Sequence, residues 1–415
     1  MVNAEQFKAL RHKQFRNYWL GSFTSVGATQ LQVMGLAWLV YELSESALML
    51  GYLGAAMGFP AVLTTLFGGA LADRVNKRRL LEATSILTFL LLALLSWLDW
   101  SGQVTAWHAI AIAAGISIIT GFDWPARQAI FPALIEREDM MSAVALTTVI
   151  WQATRMVMPA LGGVVIALTD TWVLFMLCSL GFFFMYLVLI NLEVKAGPVA
   201  APQSTLQQIR EGITFILTTR TFYVLLGLSY AVFFFGMIYM QLMPAFIDML
   251  GVGERGYGYM LSVTGLGAVT GTAISGTLQR SHRLGLSMLL SAATFCLFIY
   301  LFAAVSYISF GGAYFVALLI IFAAALFSSV FMVTSTTVLQ LEVPDELRGR
   351  VMGFHAITYN LAPLGALMGG AIAEVTNPSI AVSIMISLLL CLILWILVTQ
   401  ESIRKIDGQL LTSST

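Results

Sequence analysis

Residues 69–79 read Gly69-Ala70-Leu71-Ala72-Asp73-Arg74-Val75-Asn76-Lys77-Arg78-Arg79. The stretch joins two apolar segments, 46–71 and 79–98, each long enough to cross about 30 Å of hydrocarbon as a helix. Gly69 allows two helices to approach closely. The Asp73 carboxylate suits the positive N-terminal end of a neighbouring helix or a basic partner. Lys77, Arg78 and Arg79 mark a loop held in the cytoplasm. A loop that served topology alone would need the bases but neither Asp73 nor Gly69. The stretch therefore reads as a conformational latch on the cytoplasmic face, built from Gly69, Asp73, Arg74, Lys77 and Arg78.

Working outward, similar apolar stretches recur along all 415 residues. They predict twelve transmembrane helices, at 17–41, 46–71, 79–98, 106–122, 142–168, 171–191, 222–247, 257–278, 284–305, 310–334, 350–373 and 379–399, the fourth extending as far as Pro125. Composition agrees: 59% of residues are hydrophobic and 10% charged, with a mean hydropathy of +0.88. A soluble domain carries about 25% charged residues, so lipid must be the solvent for much of this chain. With both termini placed in the cytoplasm, every one of the 21 Lys and Arg residues falls on the cytoplasmic side except Arg255, on the opposite side, and Arg155, inside the fifth span. A wrong helix count would have scattered them. The expected location is the inner (plasma) membrane, multi-pass.

Other classes fall away. The net charge is +0, and no basic stretch is interleaved with aromatics, so nucleic acid is not an expected partner. Cys178, Cys296 and Cys391 lie singly in apolar runs and read as packing residues; no spacing suits a metal, and no cofactor is expected. No phosphate-binding loop is present, and no nucleophile–base constellation points to an enzyme. Residues 1–18 are polar and basic rather than a cleaved signal, with Phe7, Leu10 and Phe15 able to line a short helix on the membrane surface.

The longest polar stretch, from Glu193 to Thr221, holds Pro198, Pro202 and a candidate surface helix from Thr205 to Leu217. It divides the chain into an N-terminal six-helix half, 1–193, a cytoplasmic linker, 194–221, and a C-terminal half, 222–415. Gly51, Gly58 and Gly69 of the second span match Gly258, Gly265 and Gly276 of the eighth, 207 residues on, and Gly162-Gly163 match Gly369-Gly370. Two like-oriented halves imply a pseudo-symmetric all-α membrane protein around a central cavity that opens to alternate sides.

The loop 69–79 resembles the signature loop of the major facilitator superfamily, departing from it at Asn76, where that family has glycine. Pro125-Ala126-Arg127-Gln128-Ala129 and Pro344-Asp345-Glu346-Leu347-Arg348-Gly349-Arg350 resemble the branch of enterobactin exporters and macrolide efflux pumps, the transmembrane secretion effectors. Pro159 with Gly162 and Gly163 is similar to the end of the superfamily's antiporter motif. The resemblance implies alternating access, efflux of a siderophore or multidrug-type molecule, protons as coupling ion and a monomer. Arg127 joins the latch, and Asp123 either pairs with its basic cluster or is a solvated loop acid.

Among polar residues in apolar surroundings, Arg155 carries the most weight, because a charge inside a span costs several kcal/mol unless it meets water or a partner. Gln152 lies one turn before it on the same face. Gln30, Gln32 and Met34 in the first span, Tyr239 and Gln241 in the seventh, and His355, Tyr359 and Asn360 in the eleventh complete the candidate substrate site, since the resemblance implies that these helices border the cavity. An importer, a lipid-linked translocator or a non-transporting receptor remain alternatives. No carboxylate stands out at mid-membrane, so the proton carrier is not named, although His355 can titrate.

Overall fold

The computed structural model describes residues 4–72, 75–130, 133–193, 213–278, 281–308 and 310–408, and all the regular structure among them is helical. Twelve long helical segments follow in order: α1 (Lys13–Ser44), α2 (Ala47–Ala72), α3 (Lys77–Trp100), α4 (Ala106–Ile130), α5 (Met140–Leu168), α6 (Thr171–Ile190), α7 (220–250), α8 (Gly253–Leu278), α9 (Leu284–Ile308), α10 (Ala313–Glu342), α11 (345–375) and α12 (Pro378–Thr399). Eleven of them are long and apolar enough to cross a bilayer. The exception, α1, has 32 residues and carries Thr24, Ser25, Thr29, Gln30 and Gln32 through its middle, which lowers its hydropathy but suits a helix whose polar side faces protein.

Two helices are interrupted. α7 passes from Arg220–Ala231 through a π turn, Val232–Gly236, into Ile238–Gln241 and Met243–Leu250. α11 breaks at Thr358–Asn360, a short 3-10 turn just before Pro363, whose missing N–H cannot continue the ladder. The fourth span is longer than expected. α4 runs on to Ile130 through Pro125, so Asp123 and Arg127 lie in a membrane helix rather than a loop.

The residues separate into two compact units. One holds Met1–Glu45, Ala56–Pro202 and Gly253–Ser262; the other holds Ser46–Ala55, Gln203–Val252 and Val263–Thr415. In the first, α1, α3, α4 and α6 pack side by side with α5 against α1. Phe15, Tyr18, Leu81, Ala126, Leu146 and Leu189 meet in its core. The start of the chain is part of this packing and not a surface helix. Ala4–Arg11 forms a 3-10 turn whose Ala9 N–H donates to Ser142 Oγ at 3.2 Å, and Phe15 is fully buried.

Asn76 has φ −65° and ψ 112°, an extended residue and not a left-handed turn. Its side chain caps α3 by accepting from the N–H groups of Arg78 and Arg79, which explains an asparagine there. Arg78 reaches Glu82 at 2.7 Å and donates to the carbonyls of Ile190 and Leu192 at the end of α6. That satisfies orphan helix carbonyls with a cation. Asp73 and Arg74, the centre of the expected latch, and residues 205–212 of the expected linker helix lie outside the described residues, as do the side chains of Asp345, Glu346, Arg348 and Arg350.

The second unit packs α10 and α12 on α9, α11 on α12, and the π turn of α7 on α11 and α12. Tyr239, Phe246, Phe295 and Phe302 form its aromatic core, with ring centroids 4.9 to 6.4 Å apart. Cys178 and Cys296 are buried as expected, whereas Cys391 is exposed on α12.

The glycine repeat has a structural meaning in each unit. In the first, the opening turns of α8 lie on α5: a Cβ on Gly258 would stand 3.0 Å from Gly163 Cα and overlap the Pro159 carbonyl oxygen. The Ala160 N–H donates to Ser262 Oγ at 2.8 Å across the same contact. In the second, the opening turns of α2 lie on α11: a Cβ on Gly370 would stand 3.0 Å from Gly51 Cα and 2.5 Å from the Ala47 carbonyl oxygen. Gly258 follows Gly51, and Gly370 follows Gly163, by the same 207 residues. The two crossings are therefore one contact built twice, and only glycine allows backbones this close. At the second crossing the Glu374 carboxylate accepts from Ser46 Oγ and from the Leu48 N–H, at 2.8 and 3.0 Å, and so caps α2.

Candidate functional site

The first unit contains a cleft of about 480 Å³ between α1, α4 and α5. Its walls include Tyr18 and Ser22 of α1, Trp124 and Arg127 of α4, and Trp151 and Gln152 of α5. Trp124 and Trp151 meet edge to face, with centroids 5.4 Å apart and planes at 75°. They supply an apolar, polarisable wall beside a polar floor.

Arg127 forms that floor. Its Nε donates to the Asp123 carboxylate one turn earlier, and its Nη1 donates to Ser25 Oγ at 3.2 Å. The Tyr18 hydroxyl lies against the same guanidinium. Asp123 accepts a second hydrogen bond from Thr84 Oγ1 of α3 at 2.7 Å. The side chains of Arg127 and Asp123 are only 11% and 17% exposed. Three helices, α1, α3 and α4, thus converge on one buried ion pair. A pair placed in a membrane span is tolerated only when each charge is compensated, and an uncompensated partner costs several kcal/mol. This settles the reading of Asp123: it is neither a solvated loop acid nor, among the described residues, bonded to Lys77, Arg78 or Arg79. The i, i+4 spacing of an acid and an arginine was visible, but the short estimate of the fourth span hid that both are embedded.

Beside the cleft lies a small chamber of about 70 Å³ that shares Val26, Trp124, Arg127 and Trp151 with it. Gln32, 4% exposed, lines this chamber, and among the described residues its Oε1 has no hydrogen-bond partner.

Of the expected substrate residues, Gln152 lines the cleft. Arg155 follows it by three positions on α5 and is exposed. Gln30 is half-buried on α1. Met34 is 1% exposed and fills the space beside Gly162, so it is a packing residue with no surface for a ligand. In the second unit Tyr239 is 1% exposed inside the aromatic core, which removes it as a contact. His355 is also buried, and its Nε2 pairs with Thr336 Oγ1 at 3.0 Å. Tyr359 is half-exposed, stacked edge-on against Phe233 and His355; Gln241 and Asn360 are half-buried. The residues that sequence reasoning missed are Tyr18, Trp124, Gln128 and Trp151. The two tryptophans flank Arg127 and Gln152 in the sequence, but nothing in one dimension says that α4 and α5 turn these faces together.

At the far end of α1, Glu42 stands beyond the span 17–41. Partial burial, then Asp170, Glu254 and Asp99, hold its carboxyl above the ordinary value of 4.5. A raised carboxyl favours the folded state below that ordinary value and loses this contribution as pH rises through the raised value. Glu42→Gln is therefore expected to raise the thermal unfolding temperature in mildly alkaline buffer and to leave it unchanged well below 4.5. Equal shifts at both pH values would contradict this.

The fold is a many-helix membrane bundle with a buried ion pair beside an aromatic cleft. The chain matches the model of the transmembrane secretion effector family over residues 4–415 and belongs to that family, within the major facilitator superfamily that its 2–3 loop resembles. It is 26% identical over 431 residues to the enterobactin exporter EntS of Shigella flexneri, covering 97% of this chain and 96% of that one. It is 24% identical over 348 residues to the staphyloferrin A transporter of Staphylococcus aureus (strain NCTC 8325 / PS 47), covering 82% and 85%. The crystal structure of the nucleoside transporter NupG shares the fold, with a TM-score of 0.72 at 12% identity over 94% of this chain and 99% of that one. The protein is a multi-pass membrane transporter and not an enzyme.

Proposed function

We propose that this transporter exports a small amphipathic molecule, siderophore- or drug-like, across the inner membrane by alternating access in exchange for protons. The observation that carries the proposal is the cleft of the first unit, where an aromatic wall, Trp124 and Trp151, adjoins a membrane-embedded Arg127–Asp123 pair. Such a site takes a ligand with an apolar or aromatic body and a polar end. The names of the two relatives, an enterobactin exporter and a staphyloferrin A transporter, support siderophores as the class. Arg155, exposed on the α5 face that follows Gln152, extends the polar end of the site.

The protein works as a monomer with both termini in the cytoplasm, as halves 1–193 and 222–415 joined by 194–221. The twice-built glycine crossing supports that repeat. Gly69, Asp73, Arg74 and Lys77 latch the cytoplasmic face, with Arg78 holding the end of α6.

The test is efflux from cells loaded with siderophores, macrolides and fluorescent drugs, with and without a protonophore. The expected result is extrusion of at least one compound that stops with the protonophore. It is also lost in Asp73→Asn, Arg155→Ala and Trp151→Ala proteins that still reach the membrane. Extrusion indifferent to the protonophore removes proton exchange, and uptake in place of extrusion reverses the direction.

A further inference from the structure

The inner chamber has an unusual polarity. Its wall includes Ser25, Thr29, Gln32, Thr88 and Thr120. The hydroxyl protons of all four hydroxyl residues are committed to carbonyls of their own helices: Ser25 to Ser22, Thr29 to Ser25, Thr88 to Thr84 and Thr120 to Ile116. What these side chains offer the chamber is therefore oxygen lone pairs. Gln32 adds an Oε1 that has no partner among the described residues although the residue is 4% exposed. A buried acceptor left unmatched costs free energy that a donor would recover. Arg127, the strong donor at this wall, is turned to other partners: Nε to Asp123, Nη1 to Ser25, and the guanidinium also to the Tyr18 hydroxyl.

We propose that this chamber is a substrate subsite that receives an uncharged, donor-bearing group, a hydroxyl or amide N–H, with Gln32 Oε1 as its principal acceptor. A buried acceptor without a match selects a donor. The opposite charges of Asp123 and Arg127 cancel, and an ammonium would have to sit beside the Arg127 guanidinium, so a neutral donor fits better than a cation. The volume of about 70 Å³ admits only the end of a ligand, and the shared wall leaves its body between Trp124 and Trp151. The inference rests on the cleft being the transport site and names one feature of what it carries.

Isothermal titration calorimetry on the purified full-length protein tests it with catechol and its dimethyl ether, 1,2-dimethoxybenzene, which keeps the ring but loses both hydroxyl donors and has no other. The wild type is expected to bind the dihydroxy probe more tightly by about tenfold, the worth of one good hydrogen bond to a buried acceptor. Gln32→Leu, similar in size but without the acceptor, is expected to weaken the dihydroxy probe about tenfold and leave the dimethyl probe unchanged. Gln32→Glu, which keeps acceptors, is expected to retain the preference. A preference that survives in Gln32→Leu, with binding still lost in Trp151→Ala, overturns the subsite and spares the cleft. Binding of neither probe to the wild type, or binding indifferent to Trp151→Ala, overturns both.

Discussion

Arg127→Met is expected to abolish transport and to lower stability by roughly 3–5 kcal/mol, the cost of leaving one member of a buried ion pair without its partner. Met preserves most of the side-chain volume, so packing loss contributes little. The loss comes from Asp123, which keeps Thr84 as a hydrogen-bond partner but no longer has a counter-charge within a membrane span. The double variant Asp123→Asn with Arg127→Gln removes both charges together. It is expected to regain most of the stability while transport stays absent, because neutral amides share a hydrogen bond but do not supply a cation to the cleft. Thermal unfolding in detergent, read beside efflux, separates the two effects. A stable Arg127→Met protein would show that the pair is not desolvated in the membrane. A transport-competent double variant would show that the charge has no part in function.

The second large effect belongs to the glycine crossings. Gly258→Val places methyl groups where the Pro159 carbonyl and Gly163 stand, and Gly370→Val does the same against Ala47 and Gly51. The obstruction in both cases is backbone, which cannot step aside as a side-chain tip can. Each substitution is expected to cost about 1–3 kcal/mol or more and to stop transport by holding the helices apart. Gly276→Val in the same helix α8 meets nothing within 4 Å among the described residues, and its cost is expected to stay below about 1 kcal/mol. Equal losses for Gly258→Val and Gly276→Val would reduce the crossing to general intolerance of α8. Because the two crossings are related by the same 207-residue offset, the variants at Gly258 and Gly370 are expected to behave alike.

Hydrophobic length and polar punctuation are properties of the chain in one dimension. The sequence alone therefore determined a polytopic helical membrane protein, most places where its helices begin and end, though not the far ends of α4 and α10, which run on to Ile130 and Glu342, and the glycine repeat. It also pointed to the family, because the loop 69–79 and the Pro125 and Pro344 stretches are local strings of residues. What one dimension misjudged depended on neighbours. The fourth span was expected to end at 122 or to extend as far as Pro125, but α4 runs on to Ile130, and that puts Arg127 on the same helix as Asp123 in a buried pair. Met34 and Tyr239 looked like cavity residues, yet burial is decided by which helix faces which, and both turn inward to their own unit. Asn76 substitutes for a glycine by capping α3, not by adopting its backbone. Only the tertiary structure brought α1, α3, α4 and α5 together so that Trp124, Trp151, Arg127 and Gln32 share one space. A helix's apolar length sets whether it crosses a bilayer, but its rotation about its own axis is set by packing against its neighbours, and that rotation is what makes a site.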